Sequence, residues 1–180
     1  MIPHRVVLDE QAVGARVKEL ARAIAADLEG RRPILLGLLR GSYVFLADLA
    51  RELSRQGVEL EVDFIWVSHY GTGTDPTHRA VIQKDTGLKV SGQAVLVVDD
   101  ILDTGQSLQV VMEHLARQKP SWLRICVFLD KPARHTERVK PDYVGFEVPD
   151  LWYIGYGLDL AGEGRALPYI GAVEGNTGKK

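Results

Sequence analysis

The chain has 180 residues, of which 46% are hydrophobic and 26% are charged, and its formal net charge is −2 at pH 7. This composition is typical of one globular domain with a sizeable core, and the near-neutral charge argues against non-specific binding to nucleic acid. The sequence shows neither a signal region nor an apolar stretch of membrane-spanning length, so we expect no membrane association and a cytoplasmic enzyme or binding protein.

The first part of the chain predicts a helix followed by a short buried strand. Asp9 can cap a helix whose apolar residues recur at helical spacing through residues 13–28, and Gly30 ends it. The apolar run 34–39 predicts a strand, which leads into Arg40-Gly41-Ser42 and a second helical pattern. Backbone N–H groups and a guanidinium at this turn can hold an anion, although an ordinary strand-to-helix turn is the simpler interpretation of these residues alone.

A strand and a long loop come next. Residues 60–67 alternate in polarity and predict a strand with one more polar face. Residues 68–78, SHYGTGTDPTH, contain two glycines, a proline and several hydroxyl groups, which predicts a long mobile loop. Loops of this kind often close over a ligand. Residues 80–84 predict the strand that returns from it.

The most informative stretch spans residues 94–108, AVLVVDDILDTGQSL. Its first five residues are apolar and predict a buried strand of a parallel sheet, and a helical pattern begins at Leu108. The polar side chains between strand and helix include Asp99, Asp100, Asp103, Thr104 and Ser107. A loop at a helix N-terminus presents backbone N–H groups that suit a phosphate.

The three acids of this stretch define the ligand more closely. Carboxylates beside a phosphate site would repel the phosphate unless they bind another part of the same ligand. Sugar hydroxyls, or a hard cation such as Mg²⁺ that prefers oxygen ligands, remove this conflict. A sugar phosphate with Mg²⁺ nearby therefore fits both halves of the stretch. A solvated turn with Asp as a helix cap would explain an isolated DD or DTG, but the whole combination is much rarer.

The segment VLVVDDILDTGQS resembles the phosphoribosyl pyrophosphate signature of the type I phosphoribosyltransferases. Its IxDTGxS portion and the rest of the chain, over about residues 5–174, most resemble the hypoxanthine (guanine) phosphoribosyltransferases. The resemblance implies an α/β fold with a doubly wound, mainly parallel sheet flanked by helices and a small hood subdomain. Strands near residues 34, 60, 95 and 123 that alternate with helices independently predict such a sheet.

The implied domain organisation is simple. Residues 1–174 form one domain, whose hood is built mainly from the N-terminal few residues and from about 143–174. Residues 175–180 are polar and are expected to form a disordered tail.

The resemblance also implies roles at the pyrophosphate end of the site. LRGS is similar to the family's pyrophosphate loop, so Arg40 and Gly41 would bind pyrophosphate, and the peptide bond Leu39–Arg40 would be cis. A Ser-Tyr pair in the family's mobile loop corresponds here to His69-Tyr70. Tyr70 is therefore expected to close over the pyrophosphate, while His69 departs from the pattern. Arg165 matches an arginine that contacts pyrophosphate.

Further roles follow for the ribose, the metal and the proton. Asp99 and Asp100 would hold the ribose hydroxyls and, with Asp159, take part in binding Mg²⁺. Asp103 would accept or relay the purine ring proton as the candidate general base. The residues that would cradle the ribose phosphate are Thr104, Gly105, Gln106 and Ser107.

The base would be recognised by residues late in the chain. Lys131 follows the buried strand 122–129 and so lies at the ligand edge of the sheet, although a solvated lysine is the simpler interpretation without the resemblance. The resemblance implies that Lys131 donates to the exocyclic oxygen of the purine and that Trp152, in PDLWYIGYGLD, stacks on it. Tyr153 is a mild departure whose backbone would bind the base edge. Residues 134–140 are expected to form an exposed basic connection.

The implied function is purine salvage, with Mg²⁺-dependent transfer of a phosphoribosyl group from phosphoribosyl pyrophosphate to hypoxanthine, guanine or both. The implied partners are these two substrates, with neither nucleic acid nor membrane, in a homodimer or homotetramer. Three alternatives stay open. They are a regulator of the same fold that binds nucleic acid, a phosphoacceptor receiver domain, and a sister enzyme acting on xanthine, adenine or a pyrimidine.

Overall fold

The computed structural model describes residues 2–70, 79–137 and 139–177, and for residues 69, 70, 79 and 175–177 it describes the backbone alone. The helices are α1 (Glu10–Leu28), α2 (Tyr43–Arg55) and α3 (Gln106–Arg117), with a short 3₁₀ helix at Pro132–Arg134. The strands are β1 (His4–Leu8), β2 (Pro33–Leu39), β3 (Glu61–Tyr70), β4 (Arg79–Lys84), β5 (Ala94–Leu102), β6 (Trp122–Asp130), β7 (Tyr143–Glu147), β8 (Leu151–Ile154) and β9 (Ile170–Thr177).

The main sheet has the strand order β4-β3-β2-β5-β6-β7. Its neighbouring strands pair in parallel from β3 to β7, and β4 pairs antiparallel with β3. The strands β2 and β5 at its centre are almost wholly buried, as their continuous apolar runs predict for strands covered on both faces. The expected α/β fold with a doubly wound, mainly parallel sheet is confirmed.

Alternate side chains of the central strands pack against helices on opposite faces of the sheet. Leu35 and Leu96 lie in one core cluster with the buried residues of α1 and α2. Leu36 and Val97 lie in the other cluster, with the buried residues of α3. Successive side chains of a strand point to opposite faces, so one apolar run supports both layers of helices.

The first helix begins and ends where its sequence signals lie. Asp9 caps α1, and its Oδ1 accepts a hydrogen bond from the Ala12 N–H at 2.8 Å. Glu29 and Gly30 follow the last turn in the left-handed region, with φ of 49° and 80°. This geometry ends the helix and turns the chain into β2.

A second, antiparallel sheet of β1, β9 and β8 brings the N-terminus together with late parts of the chain. We use the word hood for this sheet together with the segment that joins β8 to β9. Residues 143–147 were expected in the hood, but they form β7 at the edge of the main sheet. There Arg16 donates hydrogen bonds to the carbonyls of Val144 and Gly145 at 2.8 and 2.7 Å. The backbone of β9 continues to Thr177, so the tail expected from residue 175 is strand as far as the described residues extend.

The predicted start of the long loop at residue 68 is wrong. β3 continues to Tyr70, and its last residues pair with β4, with Ser68 opposite Val81 and Tyr70 opposite Arg79. Residues 71–78 lie outside the described part of the chain. The glycines and proline that indicated a loop come after residue 70, whereas β-sheet pairing decides the residues before it. Within the described ranges, no helix is long and apolar enough to cross a membrane.

Gly145→Ala is expected to lower the free energy of unfolding by about 1–3 kcal/mol, because a Cβ at this position would lie 2.2 Å from the Phe128 carbonyl oxygen. Gly14→Ala in α1 is the matched control, since its Cβ would meet no heavy atom within 4 Å beyond its chain neighbours and the backbone of its own helix. The control should raise stability by about 0.5–1 kcal/mol through helix propensity. Urea unfolding of both variants measures the difference, and equal effects would contradict the close approach of β6 and β7.

Candidate active site

The carboxyl ends of β2, β5 and β6 lie side by side at one edge of the main sheet, because these strands are parallel neighbours. Ligands bind at this edge in open parallel sheets. A cleft opens above it, formed by two adjoining cavities of about 690 and 480 Å³. The residues that line both cavities include Arg40, Gly41, Asp100, Asp103 and Trp152.

The cleft brings together nearly all the residues singled out from the sequence. The larger cavity is also lined by Asp99, Thr104, Gly105, Gln106 and Ser107. The smaller cavity is also lined by Lys131, Tyr153, Asp159 and Arg165. The side chain of Tyr70 and residues 71–78, where a loop was predicted, lie outside the described residues.

The loop between β5 and α3 has a defined shape. Gly105 caps α3 with a φ of 89°, a conformation that L side chains rarely adopt. The carbonyl of Thr104 accepts hydrogen bonds from the N–H groups of Thr136 and Glu137 at 3.0 and 3.2 Å. The segment that follows β6 therefore holds the loop in place through these hydrogen bonds. The N-terminus of α3 borders the larger cavity.

Asp99 and Asp100 stand next to each other inside β5 rather than after it. Asp99 is 8% exposed, and its Oδ1 accepts a hydrogen bond from the Asp100 N–H at 3.0 Å. Burial raises the pKa of Asp99 well above its usual range, and the neighbouring charge of Asp100 adds to the effect. Burial also raises the pKa of Asp100. Carboxyl groups perturbed in this way in a cleft are typical of functional sites.

Glycines allow the loop after β2 to lie between the acids and the hood. A Cβ on Gly41 would lie 1.8 Å from Asp100 Oδ2, and a Cβ on Gly157 would lie 2.0 Å from the Gly41 carbonyl oxygen. Both contacts require the absence of a side chain. The peptide bond Leu39–Arg40 that enters this loop is cis, as the resemblance implied.

An arginine and an acid from the segment between β8 and β9 line the smaller cavity together with the loop after β2. Arg165 donates to Asp159 Oδ1 and to the Gly157 carbonyl. The other carboxylate oxygen of Asp159 accepts a hydrogen bond from the Gly162 N–H at 2.7 Å. These contacts hold a cation and a carboxylate side by side at the rim of the smaller cavity.

Lys131 is a buried cation between aromatic rings and carboxylates. It is 6% exposed, and its Nζ lies 5.9 Å from the Trp152 ring centroid and 5.7 Å from that of Tyr153. Asp103 Oδ2 and Asp150 Oδ1 lie 3.9 and 3.7 Å from the same nitrogen. Trp152 is 40% exposed, so its ring offers a flat surface to the cleft.

Sequence reasoning missed two residues of this cluster. Residues 134–140 were expected to form an exposed connection, but Arg134 lines the larger cavity and its Nε donates to Asp103 Oδ1 at 3.0 Å. Asp150 was treated only as part of a motif, yet it lies near two cations. The available signal was the three-residue spacing of Lys131 and Arg134 directly after a buried strand.

The carboxylates of the cleft suit a metal ion that takes some of its ligands from the protein and the others from a bound substrate. Among residues 2–70, 79–137 and 139–177, no group of three or more His, Cys, Asp or Glu side chains is placed to hold a metal. Mg²⁺ commonly uses one or two carboxylates together with substrate phosphates and water. Four carboxylates line the cleft, which also contains the loop between β5 and α3, and they are Asp99, Asp100, Asp103 and Asp159.

Comparison with known proteins identifies the family of this chain. The phosphoribosyl transferase domain model matches residues 6–160. Hypoxanthine phosphoribosyltransferase of Escherichia coli K12 is 43% identical over 93% of this chain and 94% of that protein. Hypoxanthine-guanine phosphoribosyltransferase of Aquifex aeolicus is 43% identical over 94% of each. A crystal structure of the hypoxanthine-guanine enzyme of Bacillus anthracis superposes with a TM-score of 0.89 at 38% identity, covering 96% of this chain and 99% of that one.

The fold, the cleft and the matching domain define a phosphoribosyltransferase, an enzyme of the pentosyltransferase class. Within that class, the chain belongs to the hypoxanthine phosphoribosyltransferase family.

Gly157→Ala is expected to destabilise the protein more than Gly162→Ala. Both glycines have positive φ, of 103° and 88°, so both variants carry similar backbone strain. Only the first would place a Cβ 2.0 Å from the Gly41 carbonyl, whereas no heavy atom lies within 4 Å at the second. Thermal unfolding should show a midpoint at least about 2–4 °C lower for Gly157→Ala than for Gly162→Ala. Equal midpoints would contradict the close packing of hood and loop.

Asp99→Asn is expected to stabilise the ligand-free protein at neutral pH. Burial raises the pKa of Asp99, so the folded protein binds this proton more tightly than the unfolded chain. The free energy of unfolding therefore falls as the pH rises from the unfolded pKa through the folded pKa, and Asn removes this loss. Urea unfolding at several pH values without divalent cations measures the effect.

Asp63→Asn is the control, because the pKa of Asp63 is lowered whereas that of Asp99 is raised. Burial raises the pKa of Asp63, but hydrogen bonds from the Thr86 hydroxyl and the Gly87 N–H lower it overall. Its stabilising contribution is present above the unfolded pKa and is lost as the pH falls through the folded pKa. Asp63→Asn should therefore destabilise at neutral pH. A loss of stability in Asp99→Asn as well would contradict the burial argument.

Proposed function

We propose that this chain transfers the phosphoribosyl group of phosphoribosyl pyrophosphate to hypoxanthine, guanine or both, giving IMP or GMP and pyrophosphate in purine salvage. One observation carries the proposal. The loop between β5 and α3, the acids Asp99 and Asp100, and a buried lysine near two aromatic rings all line the same cleft. Each of these three parts suits a different part of the two substrates.

The loop after β5 would bind the 5-phosphate of the ribose. Its hydroxyl and amide side chains and its backbone N–H groups lie at the positive end of α3, which favours a phosphate. The residues proposed for this contact are Thr104, Gly105, Gln106 and Ser107.

The acid pair would bind the ribose ring. Asp99 and Asp100 would accept hydrogen bonds from its 2- and 3-hydroxyls, which would compensate carboxylates that burial makes costly to ionise. Together with Asp159, these acids would also take part in holding Mg²⁺. When bound, Mg²⁺ would neutralise negative charge on the pyrophosphate.

Cations on both sides of the cleft would bind the pyrophosphate. Arg40 and the backbone of Gly41 approach from the loop after β2, and Arg165 approaches from the hood. Guanidinium groups and backbone N–H groups directed at a departing anion stabilise the charge that develops in the transition state. Tyr70, at the end of β3, would help to cover the site and exclude water from the ribose cation.

The purine would lie on Trp152, with its exocyclic oxygen at the Lys131 ammonium and its edge along the backbone at Tyr153. A buried ammonium accepts no hydrogen bond, so it favours a 6-oxo group and disfavours the 6-amino group of adenine. Asp103 would accept or relay the ring proton of the incoming base as it attacks the anomeric carbon. The ammonium and this carboxylate are 3.9 Å apart, close enough for both to contact one bicyclic base.

Other properties of the molecule stay predictions. A homodimer or homotetramer is implied by the resemblance, and light scattering of the purified protein would determine its mass. The cytoplasmic location likewise rests on the sequence alone. A regulator that binds nucleic acid is not favoured, because the matched relatives are named as phosphoribosyltransferases over nearly their whole length.

A spectrophotometric assay with phosphoribosyl pyrophosphate, Mg²⁺ and each of hypoxanthine, guanine, xanthine and adenine tests the proposal. We expect turnover of hypoxanthine or guanine, loss of turnover without Mg²⁺, and a kcat about 10²–10⁴-fold lower in Asp103→Asn. Asp85→Asn is the control, since Asp85 pairs with His114 and does not line the cleft. Preferred turnover of adenine would contradict the role of Lys131, and no turnover of any base would remove the proposed function.

A further inference from the structure

Four charged side chains form a compact cluster at the base end of the cleft. The members are Asp103, Lys131, Arg134 and Asp150. Arg134 Nε lies 3.0 Å from Asp103 Oδ1 and 3.7 Å from Asp150 Oδ1. Lys131 Nζ lies 3.9 Å from Asp103 Oδ2 and 3.7 Å from Asp150 Oδ1. Two cations and two carboxylates therefore alternate, and the cluster is neutral as a whole.

The two oxygens of Asp103 have different surroundings. Oδ1 accepts a hydrogen bond from Arg134 at 3.0 Å, whereas the 3.9 Å from Oδ2 to Lys131 is too long for one. The guanidinium thus fixes the orientation of the carboxylate through one oxygen. Oδ2 keeps its capacity to accept a hydrogen bond from a ligand in the cleft. Asp103 lines both cavities of that cleft.

The backbone keeps Arg134 in register with Asp103. The Lys131 N–H donates to the Leu102 carbonyl at 3.0 Å, and the Arg134 N–H donates to the Lys131 carbonyl at 2.9 Å. The Thr136 N–H donates to the Thr104 carbonyl at 3.0 Å. Backbone hydrogen bonds therefore join the two segments on both sides of the Arg134–Asp103 pair, which holds the two residues next to each other.

Asp150, the residue directly before β8, completes the arrangement. Its Oδ1 is equidistant from the two cations, at 3.7 Å from each. Without it, Lys131 and Arg134 would share Asp103 alone, and the buried ammonium would compete with the guanidinium for the same carboxylate. Asp150 supplies a second negative charge, so Arg134 can stay on Oδ1.

We propose that Arg134 is a positioning residue for the reaction and acts through Asp103, whose Oδ1 it binds so that Oδ2 is directed at the ring proton of the purine. This inference rests on the proposed function. It differs from a direct role in which Arg134 binds a phosphate of the substrate, a role that its place at the wall of the larger cavity would otherwise suggest.

A double-mutant cycle separates the two roles. Arg134→Gln, Asp103→Asn and the double variant are compared with the wild type by kcat and by KM for each substrate. We expect Arg134→Gln to lower kcat about 10–100-fold, because misplacing a reacting group by about 1 Å has an effect of that size. KM for phosphoribosyl pyrophosphate should change less than about twofold. In the Asp103→Asn background, Arg134→Gln should change kcat by less than about threefold, since coupled residues are not additive.

Two further variants separate positioning from folding. Arg124→Gln is the matched control, because Arg124 pairs with Asp142 at 3.0 Å and does not line the cleft. It should leave kcat and KM unchanged. Arg134→Lys keeps the charge and should recover part of the lost kcat, and thermal unfolding of every variant identifies any loss of folding. If Arg134→Gln does not fold, the cycle is run with Arg134→Lys.

The outcomes distinguish this inference from the function on which it rests. The positioning role would be overturned if the two kcat losses multiplied in the double variant. It would also be overturned if Arg134→Gln changed only the KM for phosphoribosyl pyrophosphate. In both cases wild-type turnover would still support the proposed function. Absence of wild-type turnover with every base would overturn both. A kcat loss in Arg134→Gln that disappears in the Asp103→Asn background supports the inference.

Discussion

Parallel pairing of β2, β5 and β6 is the constraint on which the candidate site depends. In this register Gly37 pairs with Val98, and Val98 pairs with Cys126, so the three strands end within a few residues of one another. A shift of one residue would exchange the two faces of a strand and direct Asp99 and Asp100 away from their present surroundings. The apolar side chains on both faces of these strands thus determine the position of the polar groups at their ends.

The hood is joined to this edge by contacts that only glycine allows. Gly41 approaches the Asp100 carboxylate, and Gly157 approaches the Gly41 carbonyl. The Asp100 carboxylate, the loop after β2 and the hood are therefore packed against one another in that order.

The carboxylates of the cleft have contrasting surroundings. Asp99 is buried beside Asp100, which disfavours its ionised form. Asp103 lies in an alternating cluster with Arg134 and Lys131, where cations balance its charge. The negative charge of Asp99 and Asp100 would thus be compensated by a ligand, whereas cations of the protein already balance the charge of Asp103. Such contrast between neighbouring acids is how one site assigns different tasks to the same chemical group.

Local sequence patterns predicted the central strands, the two ends of α1 and the turn between β5 and α3, because periodicity and turn residues act locally. Polar groups after parallel strands meet at one edge of a sheet, which predicted the place of Asp99, Asp100 and Lys131. Most of the other candidate residues came from the resemblance to a known family. Three features became visible only in the folded chain: β3 extends to Tyr70, residues 143–147 join the main sheet, and Arg134 pairs with Asp103. Each of these depends on a partner distant in the chain, and local sequence patterns carry little information about such partners.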